Sequence, residues 1–499
     1  MRLSKLLSKV RTSRISIGGD PEVEAVCADS RKVRPGSVFV AIPGARTTGV
    51  RFVQEAVSGG AVAVVAEDGV DLGEVQSAGA IVVQVPNARE ALADLASSFF
   101  QNPSEALKIA GVTGTNGKTT TAFLLQHICD VAQLRCGLIG TVVYKVGDTV
   151  FPATRTTPES LDLQELLAKM RDSGCKTVSM EVSSHALIQG RVKNIDFDVA
   201  VFTNLTQDHL DFHGNMDAYF EAKGLLFEGL RIQRFKRGVA VINAEDRFGG
   251  LLISRMQQLE IPIISYGFGV RSDFRASNLR SDLNGSTFQL DAVGRSWLVR
   301  LPLIGSFNVQ NALAALAAAH VMGVDVRTAV LALADAPPVP GRLEPVPGKR
   351  SFRVFVDYAH TDDALRNVLK ALRDLKPRRI VTVFGCGGDR DRAKRPLMGS
   401  VAEEFSDWSV VTSDNPRSED PAVIAGEVTS GMRFGRYEVI LDRKQAIQKA
   451  VSLAGPRDIV LIAGKGHEAV QEFSDRTEPF DDVAVAQSAL DAQPSEFGR

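Results

Sequence analysis

The chain has 499 residues, too many for one hydrophobic core, and that length predicts about three domains. Fifty-eight basic against fifty-nine acidic side chains leave a formal net charge of −1, which offers no global field for nucleic acid or a membrane surface. The cysteines, Cys27, Cys129, Cys136, Cys175 and Cys386, are scattered without a CxxC pair, which argues against a disulfide framework or a structural zinc site and for a reducing, cytoplasmic setting. The opening MRLSKLLSKVRTSR lacks the apolar segment of a signal peptide, and no later run approaches about 18 apolar residues, so a soluble protein without membrane insertion is expected.

Short apolar runs SVFVAI (37–42), AVAVVAE (61–67) and IVVQVP (81–86) alternate with helical stretches and predict a small α/β domain over residues 1–106. A second domain, 107–336, opens on an apolar stretch followed by GVTGTNGKTTT (111–121). That order reads as a strand, a glycine-rich turn and a helix N-terminus, an architecture that binds phosphate. Gly114 and Gly117 let the backbone turn N–H groups toward an anion, Lys118 can reach outer phosphates, and the Thr119 hydroxyl can hold a phosphate-bound magnesium ion. The general pattern wants glycine where Val112 stands, so the motif is a variant, GTNGKT. Further strands are predicted at TVSMEVS (177–183), FDVAVFTNL (197–205), GVAVINAE (238–245) and IPIISYG (261–267), forming a buried, mostly parallel sheet. Residues 286–303 read as an antiparallel hairpin and the alanine-rich 308–322 as a core-facing helix.

Proline and glycine crowd 334–350, which marks a linker to a third domain, 337–499. There RVFVDYAH, IVTVFGCGGDRD, WSVVTSDNPR and DIVLIAGKGHE each run from an apolar strand into a polar loop. In a doubly wound sheet such loops share one crevice at the carboxyl ends of the strands.

Four polar clusters accompany the phosphate loop: TRTTPES (154–160), MEVSSHAL (180–187), TNLTQDHLDFHG (203–214) and EAKGLLF (221–227). Glu181, ending a buried strand, is placed as a magnesium ligand or an ordinary strand-end carboxylate. His209 and His213 have the i, i+4 spacing of a zinc pair, but Leu210 stands where a zincin needs its glutamate. His185, His360 and His467, taken singly, read as hydrogen-bonded structural histidines. Lys223, by its residue type alone, reads as a solvated helix lysine.

In this order along the chain, GTNGKTT, TRTTPES, MEVSSHAL, TNLTQDHLDFHG, the EAK lysine, SFNVQNALAA, GRLE, DYAHTDDAL, GCGGDRDRAKRPLMG, SDNPR and AGKGHE resemble the Mur ligases from about Ser30 to Glu468. These are cytoplasmic ATP-dependent enzymes that build the peptide of the cell-wall precursor. The DSR at 29–31 and DNPR at 414–417 resemble the members that add meso-diaminopimelate to UDP-N-acetylmuramoyl-L-alanyl-D-glutamate. The resemblance implies a monomeric α/β protein of three domains: a UDP-substrate-binding domain, a P-loop ATPase domain and a Rossmann-like domain that binds the amino acid.

It also implies roles for residues. Gly114, Thr115, Asn116, Gly117, Lys118, Thr119 and Thr120 would hold ATP, with adenine and ribose near Asn308, Arg342, Asp357 and His360. Magnesium would lie by Thr119, Glu181, His209 and Lys223, the last converted to a carbamate by carbon dioxide. UDP would sit around Ser30 and residues 44–47, while Thr156, Thr157, Ser183, Gln189 and Arg191 guide the muramoyl dipeptide. Arg390, Asp414, Asn415, Pro416, Arg417, Gly464 and Glu468 would receive diaminopimelate. ATP would convert the glutamate carboxylate to an acyl phosphate, which the amine attacks, with Asp357 or His360 taking its proton. Lysine-adding and folate-extending sister enzymes are disfavoured by DNPR, and the folate enzyme also by the N-terminal domain. A catalytically silent scaffold is disfavoured by Lys118, Glu181 and Lys223, and a nucleic-acid motor by the balanced charge.

Overall fold

The computed structural model describes residues 1–16, 18–44 and 48–493, which form three main sheets. The first has five strands in the order Arg14–Ile15, Ile81–Val85, Ala61–Glu67, Ser37–Val40, Ala25–Cys27, parallel except for the two-residue edge. Its inner strands are continuous valine and alanine runs because helices cover both faces; Val38, Val64 and Val83 are fully buried.

The second sheet carries eleven strands. Its parallel middle runs Ile263–Gly267, Val239–Asn243, Val199–Phe202, Lys108–Thr113, Thr177–Glu181, Cys136–Ile139. Helices Lys118–Val131 and Ser306–Val321 pack on one face, and Ser160–Asp172, Met216–Glu228 and Arg247–Gln258 on the other. The expected hairpin is present as Gly285–Ala292 and Arg295–Leu301, but it continues a strand the sequence reading omits, Phe274–Asp282. Val143–Val146 and Thr149–Pro152 form a second omitted extension, on the opposite edge. Val143–Val146 and Thr149–Pro152 have four residues each, too few to display a period, and Phe274–Asp282 is mostly polar after Ala276, so its hydrophobic period is weak.

The third sheet is ordered Glu344–Pro345, Arg353–Asp357, Ile459–Ala463, Ile380–Phe384, Trp408–Val411, Tyr437–Val439, with only the first strand antiparallel. The parallel strand that comes last in the chain, Ile459–Ala463, lies between the first two, and because these strands are parallel the loops after Asp357, Phe384, Val411 and Ala463 gather at one end. The proline-rich stretch is more than a linker: Val339, Leu343 and Val346 are buried and Glu344–Pro345 pairs with Arg353–Asp357. Among the described residues all five cysteines are free and buried, and no helix is long and apolar enough to cross a membrane.

Candidate active site

The strand Lys108–Thr113 delivers the chain into the phosphate loop at the centre of the second sheet. A Cβ on Gly114 would lie 1.8 Å from Thr203 Oγ1, and one on Gly117, whose φ is +85°, would lie 2.2 Å from Asn311 Oδ1. No side chain caps the helix Lys118–Val131, which leaves its first N–H groups to an anion. Lys118 Nζ donates to the carbonyls of Gly114 (2.9 Å) and Thr115 (2.8 Å). Lys223 Nζ donates to the same Gly114 carbonyl at 2.9 Å and lies 4.5 Å from the Tyr219 ring centroid. The expectation of a solvated Lys223 is therefore corrected: it is 2% exposed, because the helix Met216–Glu228 turns this face onto the loop. Burial, and then the neighbouring Lys118 charge, hold its ammonium well below the ordinary lysine range. Lys118 is also lowered by burial, against the pull of Glu181 and Asp208.

Glu181 ends its strand with the carboxylate among hydroxyls. It accepts from Thr119 Oγ1 at 3.1 Å, Thr141 Oγ1 at 3.0 Å and Thr141 N at 2.8 Å. Among the described residues no group of three or more His, Cys, Asp or Glu could hold a metal ion. The hard oxygens of Thr119 and Glu181 instead fit magnesium, which takes one or two protein oxygens and completes its shell with phosphate and water. His209 sits beside them with its Nε2 3.4 Å from Asp208 Oδ2, and burial lowers its pKa. His213 Nε2 is 2.9 Å from Ser184 Oγ, and the His185 ring packs 4.1 Å from Phe212.

Across the loop stands the third sheet. Arg342 Nη2 donates to Thr119 Oγ1 at 3.0 Å and Asn116 Nδ2 to Asp363 Oδ2 at 3.0 Å, so both ends of the phosphate loop are tied to the neighbouring unit. Between them lies a cavity of about 600 Å³ lined by residues 115–120, Glu181, His209, Lys223, Asn308, Arg342, Asp357 and His360, among others. The buried Asp357 carboxylate accepts from Leu343 N (2.6 Å) and Ala359 N (2.7 Å), and burial pushes its pKa up to about 6. His360 Nδ1 lies 2.9 Å from the Tyr358 carbonyl, which can only accept, so Nδ1 donates and Nε2 keeps its lone pair. Burial keeps this imidazole neutral by lowering its pKa. Asn308 donates to Ile304 O and accepts from Asn311. Thr141, Asp208, Asn311 and Asp363 also line the cavity or orient its groups and were not singled out from sequence. Asp208, Asn311 and Asp363 lie inside quoted motifs, whereas Thr141 follows Cys136–Ile139, a four-residue strand that the sequence reading omits.

The residues assigned to the muramoyl dipeptide adjoin this cavity. Thr156 Oγ1 is 3.0 Å from Thr141 Oγ1, and Thr157, buried, donates to Glu181 O at 2.9 Å. Ser183 caps the helix Ser184–Ile188. Arg191 donates to Thr157 O (2.9 Å) and Gln189 Oε1 (2.7 Å). Ser30 stands apart, in the first unit, its hydroxyl donating to Glu55 at 3.0 Å. Residues 45–47 of the expected UDP loop lie outside the described residues.

The amino-acid set forms a second cluster at the ends of the third sheet. Asn415 Nδ2 donates to Glu468 Oε2 at 2.9 Å, and Tyr358 OH reaches Glu468 Oε1 at 3.4 Å, joining this cluster to the cavity wall. Gly464 is held close to Asp414: a Cβ there would meet Asp414 Oδ2 at 2.8 Å. Pro416 leads into Arg417, whose Nε donates to Glu472 Oε2 at 2.8 Å and Nη1 to Gly388 O at 2.9 Å. Arg390 is exposed, 3.4 Å from the Asp389 carbonyl. At the centre is a residue the sequence reading passed over, Lys465. Its fully buried Nζ donates to Asn415 Oδ1 at 2.8 Å and lies 3.4 Å from Glu468 and 3.7 Å from Asp414.

Three family descriptions match the chain: "Mur ligase family, catalytic domain" at residues 22–100, "Mur ligase middle domain" at 112–319 and "Mur ligase, glutamate ligase domain" at 341–466. The chain is 46% identical over 494 residues to the UDP-N-acetylmuramoyl-L-alanyl-D-glutamate–2,6-diaminopimelate ligase of Geobacillus thermodenitrificans, covering 98% of this chain and 99% of that one. It is 43% identical over 492 residues to the ligase of the same name from Bacillus cereus, covering 98% of each. A solved structure of a ligase of that name superposes with a TM-score of 0.71 at 35% identity, covering 99% of both chains. The MurF ligase of Thermotoga maritima in complex with ADP shares the fold at 19% identity, with a TM-score of 0.63 over 94% of this chain and 97% of that one. With the phosphate loop, the facing third sheet and these full-length likenesses together, the chain belongs to the Mur ligase family.

Proposed function

We propose that the protein is an ATP-dependent amide ligase that joins meso-2,6-diaminopimelate to the D-glutamate carboxylate of UDP-N-acetylmuramoyl-L-alanyl-D-glutamate, a step of peptidoglycan precursor synthesis. The observation that carries this reading is the cavity in which the phosphate loop and Lys118 face Arg342, Asp357 and His360, at the end of the third sheet and in its flanking loops. Residues 1–106 would bind the UDP moiety, 107–336 ATP and 337–499 the amino acid. A cytoplasmic setting fits an enzyme that draws on ATP, and a monomer is the assembly we propose.

The γ-phosphoryl group passes to the glutamate carboxylate, giving an acyl phosphate and ADP. The neutral amine then attacks the carbonyl, expels phosphate and loses a proton. Lys118 turns from the Gly114 and Thr115 carbonyls to the phosphates, where its charge offsets the charge gathered in both steps. Magnesium held by Thr119 and Glu181, with His209 and carbamylated Lys223 beside them, would supply further positive charge at the phosphates. Lys223 suits carbamylation: burial favours the neutral amine that carbon dioxide needs, and the product anion answers the Lys118 charge. His360, with Nε2 free, is the better proton acceptor than Asp357, whose two oxygens already hold backbone N–H groups. The test is phosphate release from ATP with the UDP-muramoyl dipeptide and diaminopimelate, lysine or no amino acid. Release without an added amino acid, or equal use of lysine, would overturn the reading.

A further inference from the structure

Arg417 is the only residue of the DNPR segment with a forked cation, and its fork does not stand freely. Its backbone has φ +52°, a left-handed conformation that a non-glycine residue holds only where neighbours fix it. Those neighbours come from the short hairpin Val470–Glu472 and Thr477–Pro479. Arg417 N donates to Glu472 O at 3.0 Å, and Glu472 N donates to Asn415 Oδ1 at 3.1 Å, so the backbone of Glu472 is clamped along the segment from both sides. Its carboxylate then takes Arg417 Nε at 2.8 Å, while Gly388 O takes one Nη1 hydrogen at 2.9 Å. A guanidinium has five N–H donors; with these two engaged, three remain on Nη1 and Nη2, the two nitrogens whose end-on edge matches a carboxylate.

We propose that Glu472 is a positioning residue for amino-acid selection: it fixes the Arg417 guanidinium so that its Nη1/Nη2 edge is presented to the distal carboxylate of the incoming diamino acid. This rests on the reading of Arg417 as the receiver of that carboxylate. Glu472 lies outside the DNPR and AGKGHE motifs and reaches Arg417 only through the fold. Its side chain is 43% exposed, so its contribution is geometric more than electrostatic, since salt and water screen such a pair. Free of its partner, Arg417 would sample several rotamers, and each productive encounter with substrate would first have to restore one.

The experiment measures steady-state constants for Glu472→Ala, Glu472→Gln, Arg417→Ala and the double variant, using the full chain with ATP and the UDP-muramoyl dipeptide. Glu472→Ala should raise the KM for meso-diaminopimelate about three- to tenfold, with kcat and the KM values for ATP and the UDP substrate within about twofold. Glu472→Gln keeps an acceptor oxygen for Nε and should recover most of that loss. In the Arg417→Ala background the Glu472→Ala effect should vanish, because there is no fork left to orient. Independent, multiplicative effects of the two substitutions, or an unchanged diaminopimelate KM in Glu472→Ala, would overturn the proposal. An unchanged diaminopimelate KM in Arg417→Ala would instead overturn the underlying reading of the site. A general loss of folding in Glu472→Ala, read as raised KM for all three substrates and a lowered melting temperature in both single Glu472 variants, would also overturn it.

Discussion

Lys118 and Lys223 share one carbonyl, that of Gly114, so two lysine Nζ groups are buried within a single hydrogen-bonded unit. Their functions should separate on substitution. Lys118→Ala removes the charge that faces the phosphates and should cut turnover at least about a hundredfold, while UDP-substrate binding measured by calorimetry stays within a few-fold. Lys223→Ala should be comparably inactive but partly rescued by millimolar formate, a carboxylate small enough to occupy the place of the lost carbamate. Full activity of the unrescued variant would show that no carbamate is needed. Asp357 makes a prediction about pH. Its folded pKa of about 6 exceeds the ordinary 3.8, so the folded protein holds this proton over a range where the unfolded chain has released it. The stability it contributes is full below about pH 3.8 and is lost as pH rises through 6, an effect of at most about 3 kcal/mol. The stability advantage of the unmodified protein over Asp357→Asn, from urea midpoints, should therefore be larger at pH 4.5 than at pH 7.5.

At the scale of elements, the strand–loop–helix unit around 108–131 is fixed by close approach as well as by sequence preference. Gly117→Ala would place a methyl group 2.2 Å from Asn311 Oδ1 in a left-handed conformation, so either the loop or the helix Ser306–Val321 must shift. The expected result is a KM for ATP raised more than about tenfold, with a loss of about 1 to 3 kcal/mol in stability by denaturant titration. Unaltered ATP affinity would show that the loop has slack the packing does not suggest. The same close packing explains which elements were legible. Strands such as Ala61–Glu67 and Ile459–Ala463 are buried on both faces and announce themselves as apolar runs. The strands Phe274–Asp282 and Thr149–Pro152, the second at the sheet edge, are partly or wholly exposed, and their partners, not their composition, make them strands.

Over the whole molecule, function depends on how the units meet. Only two described side-chain hydrogen bonds from the phosphate loop and its helix start reach the third unit, Asn116 to Asp363 and Arg342 to Thr119. Asp363→Ala removes the first without touching a group assigned to catalysis. It should lower kcat/KM for ATP about three- to tenfold and leave the UDP-substrate KM unchanged, the signature of a weakened closed arrangement and not of a damaged pocket. Small-angle scattering with ATP present should then report a larger radius of gyration for the variant. Equal radii and equal constants would remove Asp363 from any part in closure.

The local order of residues determined the phosphate loop, the parallel strands and the motif set, because glycine placement and apolar runs act within a few residues of chain. It also placed Glu181 at a strand end and Asn415, Arg417 and Glu468 in loops of one sheet. The burial of Lys223, the central place of Lys465 and the hold of Glu472 on Arg417 were decided only by tertiary structure. Each depends on residues from dozens to more than a hundred positions away: Lys223 on Gly114, Lys465 on Asn415, Glu472 on Arg417. A lysine on a helix looks solvated until the opposite surface is known, and a desolvated charge is set by everything packed around it, wherever in the chain it comes from.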